Sequence, residues 1–236
     1  MPVRADITPC RFCPVRPESI FQGLTEKEML EVDQIKTCQF FRKGDTVFTA
    51  GTYPRGLFCV QSGKIKVTQR GADGREQIVH LIHDGDVMGH RAIFGEDTFS
   101  CSAVAMEDAH ICFLPKDALY RMVEQNPKLA LRFAHLLADE LKEAEHRITQ
   151  TAQRPVRDRV AEALLTLSDH YGLDSDGQTL KLTVKREELA NLAGTTRETA
   201  TRMLYALQTE GLIELQGKRI RLLDMDGLSE QAHSGE

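Results

Sequence analysis

The stretch REELANLAGTTRETATRMLYALQTEGLIELQGKRIRLLD, residues 186–224, decides how this chain is read. Residues 186–193 carry helical spacing, Gly194 supplies a turn, and Thr195 or Thr196 caps a second helix that runs to about Glu210, where Gly211 ends it. Leu189, Ala190, Ala193, Ala200 and Met203 are small or apolar where two helices must cross closely, as a helix-turn-helix demands. Two short strands meet at Gln216-Gly217-Lys218 and form a wing tipped by Lys218 and Arg219. On the second helix Arg197, Glu198, Thr201 and Arg202 project from the first turns, with Thr196 at their cap. An arginine fork matches the O6 and N7 of guanine and a glutamate accepts from a cytosine amino group, so this face can read base edges in a major groove. The alternative is a solvated face with Glu198 and Arg202 paired four residues apart.

Working outward, "LKLTV" at residues 180–184 reads as a short strand and residues 156–167 as the start of a helix that Pro155 separates from a longer one. In that longer helix Leu129, Phe133, Leu136, Leu137, Leu141, Ala144 and Ile148 recur at helical spacing as one apolar seam, fit to pair with the same helix of a second chain. Packing on its own sheet is the alternative. Lys116 to Pro127 reads as a short helix, and residues 38–114 alternate with period two between glycines, the pattern of an antiparallel barrel or sandwich. Asp73-Gly74 marks a tight hairpin turn. Residues 24–35 read as a helix capped by Thr25, and the proline-rich first 20 residues as an irregular arm.

With 236 residues, 41% hydrophobic and 28% charged, the chain suits a globular protein with two domains. The net charge of -5 is uneven: between Lys181 and Arg221 eight basic residues face five acidic ones, a local basic surface suited to phosphate. Apolar runs fall far short of a membrane span, and the N-terminus lacks a signal pattern, so a cytoplasmic address and no membrane partner are expected. Six cysteines in such a chain are expected to be reduced, buried or metal-bound rather than paired as disulfides.

The segments "KGDTVFTAG", "GLFCVQSGKIKV", "GREQIVHLIHDGDVMG", "FLPKDALYRMVEQNP" and "LAGTTRETATR", in this order, resemble the Crp/Fnr superfamily over essentially the whole chain. The resemblance implies an α+β chain in four parts: an arm at 1–20, an antiparallel β-roll of the cyclic-nucleotide-binding jelly-roll kind at 21–115, a short helix and dimerisation helix at 116–153, and a winged helix-turn-helix at 154–236. It further implies a homodimer on double-stranded DNA with a palindromic operator, contact with RNA polymerase, and Arg197, Glu198 and Arg202 at base-reading positions, with Thr201 where the Fnr branch commonly has serine.

For the sensor, cyclic-AMP-binding members use a Gly-Glu pair followed about ten residues later by Arg-Ser; here those places hold Gly89-His90 and Ser100-Cys101, while Gly95-Glu96 is out of register. Neither the acid for a ribose hydroxyl nor the arginine for a phosphate is present, and cyclic nucleotide binding is not expected. Cys10 and Cys13 sit where Fnr proteins carry N-terminal iron-sulfur ligands, and Cys112 matches their distant ligand, but the third N-terminal cysteine falls at Ser19. Because the family's fold sets the first and last β-roll strands side by side, Cys38 is taken as the replacement. A 4Fe–4S cluster on Cys10, Cys13, Cys38 and Cys112, with Cys101 as substitute, is the expected cofactor, responding to oxygen, nitric oxide or redox state. Cys59 is expected to be plain core.

Two other readings stay open for the sensor: another metal or a thiol switch, and no cysteine chemistry, with an anion or organic effector held near His90, Arg91 and Ser100. His80, His83, His90 and His110 have no metal-ligand spacing. A Cys-x-x-Cys oxidoreductase needs a helix start in a βαβ setting, which Pro14 and Pro17 do not provide, so no enzyme is expected.

Overall fold

The structure is a computed structural model that describes residues 3–4, 8–72 and 74–233. It divides into two compact units: Met1–Arg75 with Val79–Leu141, and Glu76–Ile78 with Lys142–Glu236.

In the first unit the arm carries a strand β1 (Val3–Arg4) and two 3-10 turns, Cys10–Phe12 and Arg16–Glu18. Helix α1 (Glu26–Ile35) follows. Its start is set by a full capping box, in which the Thr25 hydroxyl accepts from the Glu28 N–H while the Glu28 carboxylate accepts from the Thr25 N–H. Strands β2 (Thr37–Phe41), β3 (Thr46–Phe48), β4 (Gly56–Ser62), β5 (Ile65–Arg70), β6 (Glu76–Ile82), β7 (Val87–Met88), β8 (Ser102–Ala105) and β9 (Ala109–Pro115) form two sheets, ordered β1-β2-β9-β4-β7 and β3-β8-β5-β6. The pairings described in them are antiparallel, as period-two alternation requires. Asp73 lies outside the described residues; its neighbour Gly74 holds a φ of 79°, the left-handed conformation of the hairpin between β5 and β6.

The inward residues of the two sheets, among them Val60, Ile65, Val67, Ala103 and Ile111, fill one core. A second core lies on the other face of the larger sheet, where Leu57 and Leu114 meet Leu24, Met29 and Val32 and helices α3 (Lys116–Gln125) and α4 (Pro127–Gln153). A short helix α2 (His90–Phe94), which the sequence pattern did not reveal, begins where Gly89 takes a φ of 92°.

Helix α4 corrects the expectation of one apolar seam along its length. Leu129 and Phe133 are buried in the β-roll's own second core, whereas Leu141 and Ile148 are 60% and 70% exposed. The first turns serve the chain's own fold, and only the later ones keep an open apolar stripe.

In the second unit Pro155, which lacks an N–H, separates α4 from α5 (Val156–Tyr171). Helices α6 (Arg186–Ala193) and α7 (Arg197–Thr209), the hairpin of β10 (Ile213–Gln216) and β11 (Arg219–Leu222), and a final helix α8 (Met225–Ala232) complete it. Leu164, Leu189, Leu204, Leu207, Ile213 and Leu228 are buried in this unit. The strand expected at residues 180–184 does not form. Only isolated bridges Leu173↔Leu180 and Thr179↔Arg221 are made, after which the chain turns to begin α6. No helix of the described residues is long and apolar enough to cross a membrane.

Candidate DNA-reading face and cysteine cavity

The helix-turn-helix is built by local chemistry. Ala190, Ala193 and Ala200 are 1%, 5% and 0% exposed, so α6 and α7 bury small methyl side chains that let two helices approach closely. Gly194 closes α6 at a φ of 63°, a conformation that costs a side chain about 1 kcal/mol or more. Thr196 then caps α7 by accepting from the Thr199 N–H at 3.2 Å. The unpaired N–H groups at the start of α7 favour a nearby anion such as a phosphate.

Thr196, Arg197, Glu198 and Arg202 are exposed along the first turns of α7. Among the described residues Glu198 and Arg202 make no ion pair with each other, which leaves both free to meet a partner. Thr201 is half-buried, and its hydroxyl donates to the Arg197 carbonyl at 2.7 Å. On the wing Lys218 is exposed, and Arg219, exposed beside it, donates to Asp174 at 2.7 Å. Arg186 donates to the Gly217 carbonyl at 3.2 Å and ties the wing turn to α6. Burial places the Arg186 guanidinium below its ordinary pKa.

Five of the six cysteines line two cavities of the first unit. One, of about 70 Å3, is walled by Cys10, Cys13, Cys59 and Cys112 together with Lys36 and apolar side chains such as Leu24, Met29 and Val32. Cys10 and Cys13 come from the first 3-10 turn of the arm, while Cys59 and Cys112 stand directly opposite each other on β4 and β9. The buried Lys36 ammonium donates to Cys10 Sγ at 3.0 Å and to the Thr8 carbonyl at 2.7 Å, and lies 2.9 Å from an Asp33 oxygen. Burial alone would lower the Lys36 pKa, but the hydrogen bonds to Asp33 and Cys10 outweigh it and hold the ammonium above its usual value. Burial pushes the Cys10 thiol up despite Lys36, and pushes Cys59 up strongly.

One expectation about the cysteines is corrected. Cys38 and Cys112 do lie on neighbouring strands, paired in register across β2 and β9, but they are joined by a disulfide with a Cα–Cα distance of 4.0 Å. Being directly opposite places two Cβ atoms near enough for a bond, which the expectation of reduced thiols did not weigh. Cys59 is half-buried, packs against the second core and also lines the cavity. Among the described residues no three His, Cys, Asp or Glu side chains stand at metal-holding spacing.

Cys101 is buried away from these groups, in a smaller cavity of about 30 Å3 whose wall includes His90, Arg91, Ser100 and Glu140. His90 is 2% exposed, and its Nε2 lies 3.0 Å from Glu140 on α4 while its Nδ1 has no partner among the described residues. Burial works against the Glu140 carboxylate, but the hydrogen bond to His90 and the charge of Arg91 hold it below the usual range. Sequence patterns missed Glu140, Lys36 and Asp33. Only the Asp33–Lys36 spacing of three, across the end of α1, carried a local signal.

Similarity to known proteins agrees with both units. A family model for a cyclic nucleotide-binding domain matches residues 38–126, and one for a Crp-like helix-turn-helix domain matches residues 158–231. The chain is 32% identical over 196 residues to a cyclic AMP receptor protein of Thermus thermophilus, covering 83% of this chain and 88% of that one. It is 30% identical over 223 residues to an anaerobic regulatory protein of Haemophilus influenzae, covering 94% and 86%. The crystal structure of a CRP/FNR family transcriptional regulator from Thermus thermophilus matches with a TM-score of 0.73 at 28% identity, over 84% of this chain and all of that one. A β-roll, a long helix and a winged helix-turn-helix in this order, with relatives at this identity over nearly their whole length, make the chain a member of the Crp/Fnr family of DNA-binding transcription regulators.

Proposed function

We propose that the chain regulates transcription as a homodimer on a palindromic operator, in contact with RNA polymerase, and that oxygen, nitric oxide or redox state is read at its cysteines through an iron-sulfur cluster. The observation that carries this reading is the gathering of Cys10, Cys13 and Cys112 from an irregular arm and a distant strand onto one apolar cavity beside a buried ammonium. The donor type suits the group once the Cys38–Cys112 bond is reduced, because iron-sulfur clusters take cysteine thiolates and a nearby cation offsets their charge. A bound cluster supplies iron that reacts with oxygen and nitric oxide and changes oxidation state. The protein's part is to present the thiolates, shield them from water and hold Lys36 against Cys10. The likeness to an anaerobic regulatory protein supports the same reading.

On the DNA, Thr196, Arg197, Glu198, Thr201 and Arg202 belong to the reading helix, and Lys218 and Arg219 to the wing. The exposed Leu141 and Ile148 offer the dimer seam.

Anaerobic purification with iron and sulfide analysis, a visible spectrum and operator binding before and after air tests the proposal. A brown protein that bleaches in air with a change in operator affinity supports it; a colourless, metal-free protein with oxygen-blind binding overturns it. That second outcome favours an effector in the smaller cavity, a reading supported by the buried, unpartnered Nδ1 of His90 next to Arg91 and Ser100. Cyclic AMP titration belongs to the same experiment, with no binding expected.

A further inference from the structure

Resting on the cluster reading, we infer that Cys59, rather than Cys38, is the fourth thiolate of the site, which Cys10, Cys13, Cys59 and Cys112 share around one cavity. Three cysteines form a row across adjacent strands, Cys38 on β2, Cys112 on β9 and Cys59 on β4, each pair directly in register. Residues directly opposite in antiparallel strands point to the same side of the sheet, so Cys112 has a cysteine neighbour on either hand. The cavity separates the two neighbours. Cys59 is on its wall with Cys10 and Cys13; Cys38 is 2% exposed and is not.

Ser19, where a third cysteine of the arm would stand, is already used. Its hydroxyl donates to the Arg16 carbonyl at 2.9 Å and accepts from the Phe21 N–H at 3.3 Å, fixing the turn that follows the arm. Cys59 therefore supplies from the sheet the thiol that the arm lacks. The charge balance points the same way, since Lys36 is buried at this wall and donates to a cysteine sulfur.

Cys112 reaches the site only when its bond to Cys38 is open. A dithiol reductant delivers two electrons and two protons, leaves as its own disulfide, and frees both thiols. The Cys38–Cys112 bond and the four-thiolate site are thus alternatives that share one sulfur.

The test reconstitutes the full-length, dithiol-reduced protein anaerobically with ferrous iron and sulfide, and reads bound iron, bound sulfide and the visible spectrum. Wild type and C38S are expected to load, C38S without prior reduction. C59S, C59A and C59V are expected to lose the bound iron and sulfide while their metal-free forms keep the wild-type circular dichroism and melting temperature. Valine suits a half-buried strand, so at least one variant keeps the fold. Loading of a folded Cys59 variant to the wild-type level overturns the inference, and failure of C38S at the same time assigns the role to Cys38. Failure of wild type to load overturns the cluster reading itself, and the inference with it.

Discussion

Nε2 of His90, on the short helix α2, stands 3.0 Å from Oε2 of Glu140, on the long helix α4. The pair is almost closed to solvent, with side-chain exposures of 3% and 15%. It therefore ties the wall of the smaller cavity to the first unit's portion of α4. Glu140→Ala leaves the buried imidazole with neither nitrogen paired, and a loss of about 1–3 kcal/mol is expected. Urea unfolding of the variant checks this, and an unchanged midpoint would remove the pair from the fold's support.

The same carboxylate sets a pH dependence. Its pKa is held below the ordinary value of 4.5, so the unfolded chain binds the proton more readily than the folded one. The pair's contribution is complete above that ordinary value and is lost as pH falls through the lower, folded value. Melting temperatures between neutral pH and about pH 3 should fall more steeply for wild type than for Glu140→Gln. Parallel curves would count against the assignment.

On the reading helix, Arg202→Ala should weaken specific binding by about 1–3 kcal/mol and relax one operator position. Lys218→Ala should weaken all sequences alike and lower the slope of affinity against salt. Arg219→Ala is expected to act less on DNA than Lys218→Ala, because Arg219 is already engaged with Asp174. Competition binding with operator and random duplexes separates the three. Equal losses on both duplexes for the Arg202 variant would take it out of base reading.

The disulfide closes a sequence separation of 74 residues. By the chain-entropy model it contributes roughly 4 kcal/mol to the β-roll, most of which reduction or Cys38→Ser should remove. Thiol titration of denatured protein should find four free groups of the six cysteines before reduction and all of them after it. Six groups without reductant would show that the bond is absent.

Ile148→Glu should dissociate the proposed dimer, since this residue is 70% exposed on the apolar stripe of α4. Sedimentation equilibrium reads the change, and operator affinity should drop with it. A variant that stays dimeric would move the interface elsewhere.

The DNA-reading half of this protein was legible in the sequence because its determinants are local. A left-handed glycine, a threonine cap and alanines at helix spacing act within a few residues of one another, and Gly194, Thr196, Ala190 and Ala200 take the places their spacing implies. Helix boundaries set by Pro155 and by the Thr25 cap were readable for the same reason. The alternation of residues 38–114 likewise determined that the strands would pair in antiparallel sheets. The sensor was not legible in this way. Which thiol faces which depends on strand register and on where the arm settles, and Cys38, Cys59 and Cys112 are separated by tens of residues that no periodicity spans. Only the packed sheet puts Cys112 between Cys38 and Cys59, buries Lys36 against Cys10, and lays Glu140 over His90. The sequence alone determined the elements and the face they offer to DNA; tertiary structure decided the cysteine partners, because contacts between distant strands follow from register and packing, not from local spacing.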